Sequence, residues 1–259
     1  MNIIQSSRFN LLFCSIMVLD MKRLMMIVFV LACLVACTRK EVENMDDVSC
    51  NGRDCTFRFP SNAGTGYVWD VVYHSDNITM NKVETKSVKI NSIEDGGPLT
   101  TQFDLSVTDD NEALIIFKFA RPWEGNGDYE CYSITPDAGE NSKLEQSSIS
   151  YHKDLEHVYS LADNAMFSIN ILKNWTYEKD GLHFKVYPEG KDECFELFYS
   201  NEEASGTTIN IYNKEFFLTE DQNIVTIEGN NIYLKCSRDL YDEYFKEMIM
   251  LVDTARYEE

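Results

Sequence analysis

The chain has 259 residues, 44% hydrophobic and 25% charged, so it can bury a sizeable core and has room for one large or two ordinary domains. Its 43 acidic residues outweigh 23 basic ones, giving a net charge of −20. That balance excludes the clustered Lys and Arg of a nucleic-acid footprint and favours solubility and basic partners instead.

At the N-terminus, Lys22-Arg23 precedes an apolar run from Leu24 to Ala36, a charged start with a hydrophobic segment short for a membrane span. This is the pattern of an export signal, the other reading being an uncleaved anchor helix. Met21 is the expected initiator, because residues 1–20 sit ahead of the charged start. The run ends in Leu34-Val35-Ala36-Cys37, which resembles the lipobox of bacterial lipoproteins. The resemblance implies cleavage of residues 1–36 and lipid attachment at Cys37. It also implies a protein held on the membrane of the bacterial cell envelope, periplasmic or surface-exposed. Cleavage removes Arg8, Lys22 and Arg23 against Asp20, taking the net charge from −20 to −22. Besides Cys37, the mature chain keeps Cys50, Cys55, Cys131, Cys194 and Cys236. That is an odd number, so at least one is free or pairs between chains. Residues 37–47 are polar and charged and read as a tether.

From residue 48 to 137, strand signals recur at Cys55–Phe59, Val68–Tyr73, Val83–Ile90, Thr101–Val107, Leu114–Phe119 and Tyr129–Ile134, separated by Gly, Pro, Asn or Asp. Short strands at this spacing predict a β-sandwich. Three turns stand out on it. The first holds Asn62-Ala63-Gly64-Thr65-Gly66-Tyr67, the second Asp95-Gly96-Gly97-Pro98, and the third Arg121-Pro122-Trp123 at the end of a strongly apolar strand.

In order and spacing, these turns resemble the loops of the chagasin family of papain-type cysteine-protease inhibitors. The resemblance implies an immunoglobulin-like sandwich whose three loops enter the active-site cleft of a papain-like cysteine protease. Of the family's first loop, Asn62, Thr65, Gly66 and Tyr67 match, while Ala63 and Gly64 replace Pro and Thr. Of the second, Gly96 and Gly97 match and Glu94 departs. The third is complete in Arg121, Pro122 and Trp123. By this resemblance Gly66 brings bare backbone against the catalytic groups, Thr65 lies over the nucleophile and Trp123 anchors the complex. Arg121 either bonds a carboxylate on the protease rim or braces the loops internally. Tyr67 is either a contact or a core residue, and Trp69, inside a strand, reads as core. Without Pro at 63 and with Gly at 64, the free first loop is expected to be looser and inhibition weaker.

Residues 138–150 turn polar and read as a linker to a smaller α+β domain at 151–259. Tyr151 to Ala162 is ambiguous. Its His152 and His157 are five apart and do not share a helical face, so they read as solvated. Strand signals follow at Met166–Leu172, Leu182–Tyr187, Cys194–Tyr199, Thr207–Tyr212, Ile224–Glu228 and Ile232–Cys236, with His183 a packed or exposed strand residue. Then comes one helix, capped by Ser237 or Asp239, whose stripe Leu240, Tyr244, Met248, Val252 is expected to cover a sheet. The stretch from Phe167 to Tyr177 is similar to the start of small α+β domains of the PsbP and Mog1 type. Cys194 and Cys236 are either a disulfide or two buried thiols.

The fold class is thus mainly β. There is no Gly-x-Ser-x-Gly, phosphate loop or Cys-x-x-Cys, and the chain is read as a non-enzyme with no cofactor and no metal site. The alternative to an inhibitor is a non-inhibitory envelope module that binds a protein or a glycan. The oligomeric state is left open.

Overall fold

The computed structural model describes residues 47–87, 98–137, 141–162, 164–201, 204–212, 214–221 and 223–258. The export signal, Cys37 and most of the tether lie outside them. Residues 46–259 form one compact unit.

Its first eight strands are β1 (Asp47–Asn51), β2 (Asp54–Asn62), β3 (Val68–His74), β4 (Ile78–Ser87), β5 (Pro98–Val107), β6 (Ala113–Ala120), β7 (Gly127–Thr135) and β8 (Lys143–Ile149). They build two antiparallel sheets, in the orders β1-β2-β5-β4 and β3-β6-β7-β8. Alternation along the strands decides what lies between the sheets. Cys55, Phe57 and Phe59 of β2 and Phe103, Leu105 and Val107 of β5 point inward, against Ala113, Ile115 and Phe117 of β6 and Tyr132 and Ile134 of β7. Phe117 is central, with ring centroids of Phe57, Phe59 and Phe103 at 5.1, 4.8 and 4.9 Å. At one end of this sandwich Cys50 and Cys55 pair as a disulfide across the β1–β2 hairpin.

The run from Ala113 to Phe119 is apolar almost without interruption because its sheet is buried on both faces. Ala113, Ile115 and Phe117 serve the sandwich core, whereas Ile116 of β6 and Tyr129 and Cys131 of β7 face a second core. The rest of the chain supplies that second core. A short helix α1 (Tyr151–Asp154) leads into β9 (Leu155–Ala162) and β10 (Ala165–Leu172), followed by β11 (Thr176–Asp180), β12 (His183–Tyr187), β13 (Phe195–Tyr199) and β14 (Thr207–Ile211). Next are β15 (Lys214–Asp221), β16 (Ile224–Gly229) and β17 (Ile232–Ser237), then helices α2 (Arg238–Glu243) and α3 (Phe245–Thr254) and the last strand β18 (Arg256–Glu258). Two further antiparallel sheets result, β18-β10-β9 and β11-β12-β13-β17-β16-β15-β14. Helix α3 is buried from Met248 to Thr254, as a helix enclosed between layers must be. At the end of β14, the Tyr212 amide donates to Val72 O of β3 at 2.7 Å.

One even-numbered residue of β6 is charged. Lys118 Nζ reaches Asp253 Oδ2 of α3 at 2.6 Å, the two side chains being 1% and 2% exposed. Tyr129 Oη donates to the same carboxylate oxygen at 2.7 Å, and Lys118 Nζ also donates to Gly125 O at 3.0 Å. The rings of Tyr129 and Tyr212 lie 5.4 and 5.1 Å from the ammonium.

The structure corrects some expectations and decides others. Residues 143–149, expected in a linker, form β8 and pair with β7 from Thr135↔Lys143 to Tyr129↔Ile149; their polar side chains fit an exposed edge strand. The strand expected at Val83–Ile90 already begins at Ile78. The expected single helix breaks at Tyr244, whose φ of −120° leaves the helical region, and Ser237 is its cap, accepting from the Leu240 amide. Cys194 and Cys236 do not pair; like Cys131 they are free. His157 lies exposed on β9, with Nδ1 2.9 Å from Asn170 Oδ1. His183 packs edge-on to Phe198.

The buried pair makes a quantitative prediction. Asp253→Ala leaves an unpaired ammonium in the core and should lower the unfolding free energy by about 3–5 kcal/mol, whereas Lys82→Ala, which breaks only an exposed pair on β4, should leave it nearly unchanged. Urea titration of the full chain measures both.

Candidate functional site

The first and third turns leave neighbouring strands. β2 ends at Asn62 and the chain crosses to β3, whose first residue, Val68, pairs with Ala120, the last of β6. Residues 63–67 and 121–126 therefore emerge side by side. The second turn, with Gly96 and Gly97, lies outside the described residues, but its roots do not. Pro98 pairs with Asn62, and Ser87 with Leu99, so both flanking strands end beside the first turn.

The first turn is a single 3-10 turn, Ala63–Thr65, and its bonds follow from its residue types. Asn62 is extended, and its side chain accepts from the Gly64 amide at 3.0 Å. Thr65 Oγ1 donates back to Asn62 O at 2.8 Å and accepts from the Tyr67 amide at 3.4 Å. Gly66 closes the turn at φ 74°, a conformation that side chains resist. A Cβ built there would stand 3.1 Å from Trp123 Cη2 and 3.6 Å from Cζ2, so the indole rests directly on the bare backbone of Gly66. The rest of the ring is open: Trp123 is 73% exposed, more than any other large hydrophobic side chain among the described residues. Pro122 beside it is also exposed.

Arg121 joins the two turns. Its Nε donates to Thr65 O at 3.0 Å, its guanidinium lies 4.8 Å over the Tyr67 ring, and Nη1 pairs with Glu124 at 2.8 Å. Of the two roles expected for Arg121, the structure shows the internal brace. Tyr67 is half-buried, 5.2 Å from the Phe119 ring. Behind it Trp69 is stacked between Phe59 and Phe119 at 4.4 and 4.9 Å, with Nε1 donating to Pro60 O at 3.1 Å. It supports the edge from below, partly buried against the sandwich core. Sequence reasoning missed Glu124, although its place three residues after Arg121 is a signal for such a pair.

Chemically this edge offers an exposed indole, a proline and unhindered backbone, with its one guanidinium already partnered. Among the described residues no cluster of His, Cys, Asp and Glu could hold a metal ion. Cys131 is buried, which pushes its thiol up to about 12 and disfavours a nucleophilic thiolate.

Gly66→Ala tests the contact. Left-handed backbone with a side chain costs about 1–2 kcal/mol, and the new methyl must push the indole away. Stability in urea should fall by about that amount, and tryptophan emission should shift; unchanged emission would contradict the packing of Trp123 on Gly66.

Residues 51–135, from the last residue of β1 to the last of β7, match the family model described as chagasin family peptidase inhibitor I42. No curated protein and no solved structure matches the chain. The matched span contains the whole edge formed by Asn62–Tyr67 and Arg121–Trp123. Over this span the chain is similar to the chagasin family of peptidase inhibitors, the family its three turns resemble.

Proposed function

We propose that the chain is a reversible inhibitor of papain-like cysteine proteases, whose cleft it plugs with residues 62–67, 95–98 and 121–123. The observation that carries this reading is the seating of Trp123 on Gly66 at one exposed edge of a domain of an inhibitor family. A protease cleft is walled on both sides. A narrow wedge of bare backbone with an indole beside it can enter the cleft and bury the large apolar area that dominates interface energies. Gly66 would approach the catalytic Cys and His without a clash, and Thr65 would lie over the nucleophile. Because no scissile carbonyl is offered, the protease is obstructed and the inhibitor is not cut. Pro122 and the Arg121 brace limit the freedom lost on binding, which compensates for the missing proline at position 63. Lipid attachment at Cys37, supported by the Leu34-Val35-Ala36-Cys37 pattern, would hold the inhibitor on the cell envelope.

The test is inhibition of papain by the full chain in detergent micelles. Competitive inhibition is expected, with Trp123→Ala raising Ki by about 30-fold and Thr65→Arg abolishing it by steric block. Full activity of papain and of related proteases at a large excess of the wild-type chain would refute the proposal and leave a non-inhibitory binding module.

A further inference from the structure

The family match stops at residue 135, yet several contacts from the later part of the chain converge on one short segment of the domain. That segment is Gly125–Asn126, the limb by which the loop carrying Trp123 returns to β7. Four contacts converge there. Asp253 of α3 holds Lys118, which donates to Gly125 O at 3.0 Å. The Arg256 side chain packs on Gly125, with Nε and Nη2 3.3 Å from where a Cβ would stand, while its Nη1 donates to Asp253 O at 2.5 Å and Ala255 O at 2.7 Å. Asn126 donates to Tyr151 Oη at 2.9 Å and accepts from Asn170 Nδ2 at 2.7 Å. Asn170 is itself buried on β10, its amide N–H donating to Thr254 Oγ1 at 3.1 Å. Just beyond, the Tyr151 amide donates to Asp128 Oδ1 at 2.6 Å.

The two limbs of the loop are thus held from different sides. The outgoing limb is tied to the first turn by Arg121, and the return limb is tied by α1, β10, α3 and β18. We infer that residues 151–258 are a buttress that fixes the position of Trp123, and that Asp253 is a positioning residue acting through Lys118 on Gly125 O. The chemistry favours this role over simple stability. An ion pair enclosed in the core gives up hydration that apolar residues of similar volume would not need, so its retention calls for a reason beyond stability. The second hydrogen bond of an already paired ammonium, spent on a loop carbonyl, supplies one. Its bearing on inhibition rests on the function proposed above; its bearing on the loop does not.

The decisive variant is Lys118→Met/Tyr129→Phe/Asp253→Leu in the full chain, which removes both buried charges and the hydroxyl that would lose its acceptor. The core should remain folded, while Gly125 O loses its donor. Deuterium uptake of the peptide spanning residues 120–127, which includes the Glu124 amide bonded to Arg121 O at 2.9 Å, should become about tenfold faster, with β2 unchanged. Unchanged uptake at 120–127 in the folded variant would overturn the inference. Should the triple variant fail to fold, Tyr151→Phe, which deletes one hydroxyl, decides by the same measurement: about threefold faster uptake is expected, and no change overturns the buttress. Against papain, the triple variant should show a Ki at least about tenfold higher than wild type, and an equal Ki would also overturn it. A wild-type chain that does not inhibit refutes the proposed function and leaves the uptake comparison to decide the buttress.

Discussion

The pairing of Lys118 with Asp253 is the interaction on which the rest of the molecule turns. Neither group tolerates the interior alone, since an isolated charge there costs far more than a hydrogen bond returns. Together they require that β6 and α3 stay in register to within a bond length. Because β6 sits in the sheet shared by two cores, that requirement ties the sandwich to the layers built after it. Tyr129 and the rings on either side of the ammonium fill its remaining surroundings.

From that fixed strand the exposed edge follows with little freedom. β6 delivers Arg121 beside the start of β3, and a guanidinium has enough donors to tie Thr65 and Glu124 at once. Gly66 then matters for what it lacks: without a side chain it leaves the indole a floor to rest on. Relative to the family pattern, the proline absent from position 63 is answered by a different device. Asn62 caps the turn, Thr65 bonds back to it, and Arg121 fastens it from outside, so local hydrogen bonds supply the order that a ring would have imposed.

Much of this was legible in the residues. Alternation at Thr56–Phe59 and Gln102–Val107 pointed to strands with one buried face, and the three turns carried the family resemblance because their residue types are tied to backbone conformation. What stayed hidden had non-local causes. The continuous apolar run of β6 was visible, but not that its two faces belong to different cores. Nothing local in the sequence marks Lys118, since its partner lies 135 positions away. β8 carries Lys143, Glu145, Gln146 and two serines, a composition shared by linkers and exposed edges, and only pairing with β7 distinguishes them. The break at Tyr244 left the apolar stripe intact, so spacing could not reveal it. Cys50 and Cys55 were seen as two of five unassigned cysteines; the tight hairpin that joins them became apparent only with β1 in place.

The sheet shared between two cores bears on modularity. A family match covering a third of the chain invites the view that residues 51–135 are a cassette, movable between proteins. Yet Ile116, Tyr129 and Cys131 lie on the far side of that cassette, together with an ammonium matched to a carboxylate beyond its border. Excised alone, it would carry an oily back and a stranded cation into water, and β7 would lose its neighbour. In this chain the family-matched span and its supporting layers belong to one compact unit, so exchange of either part has to carry the other.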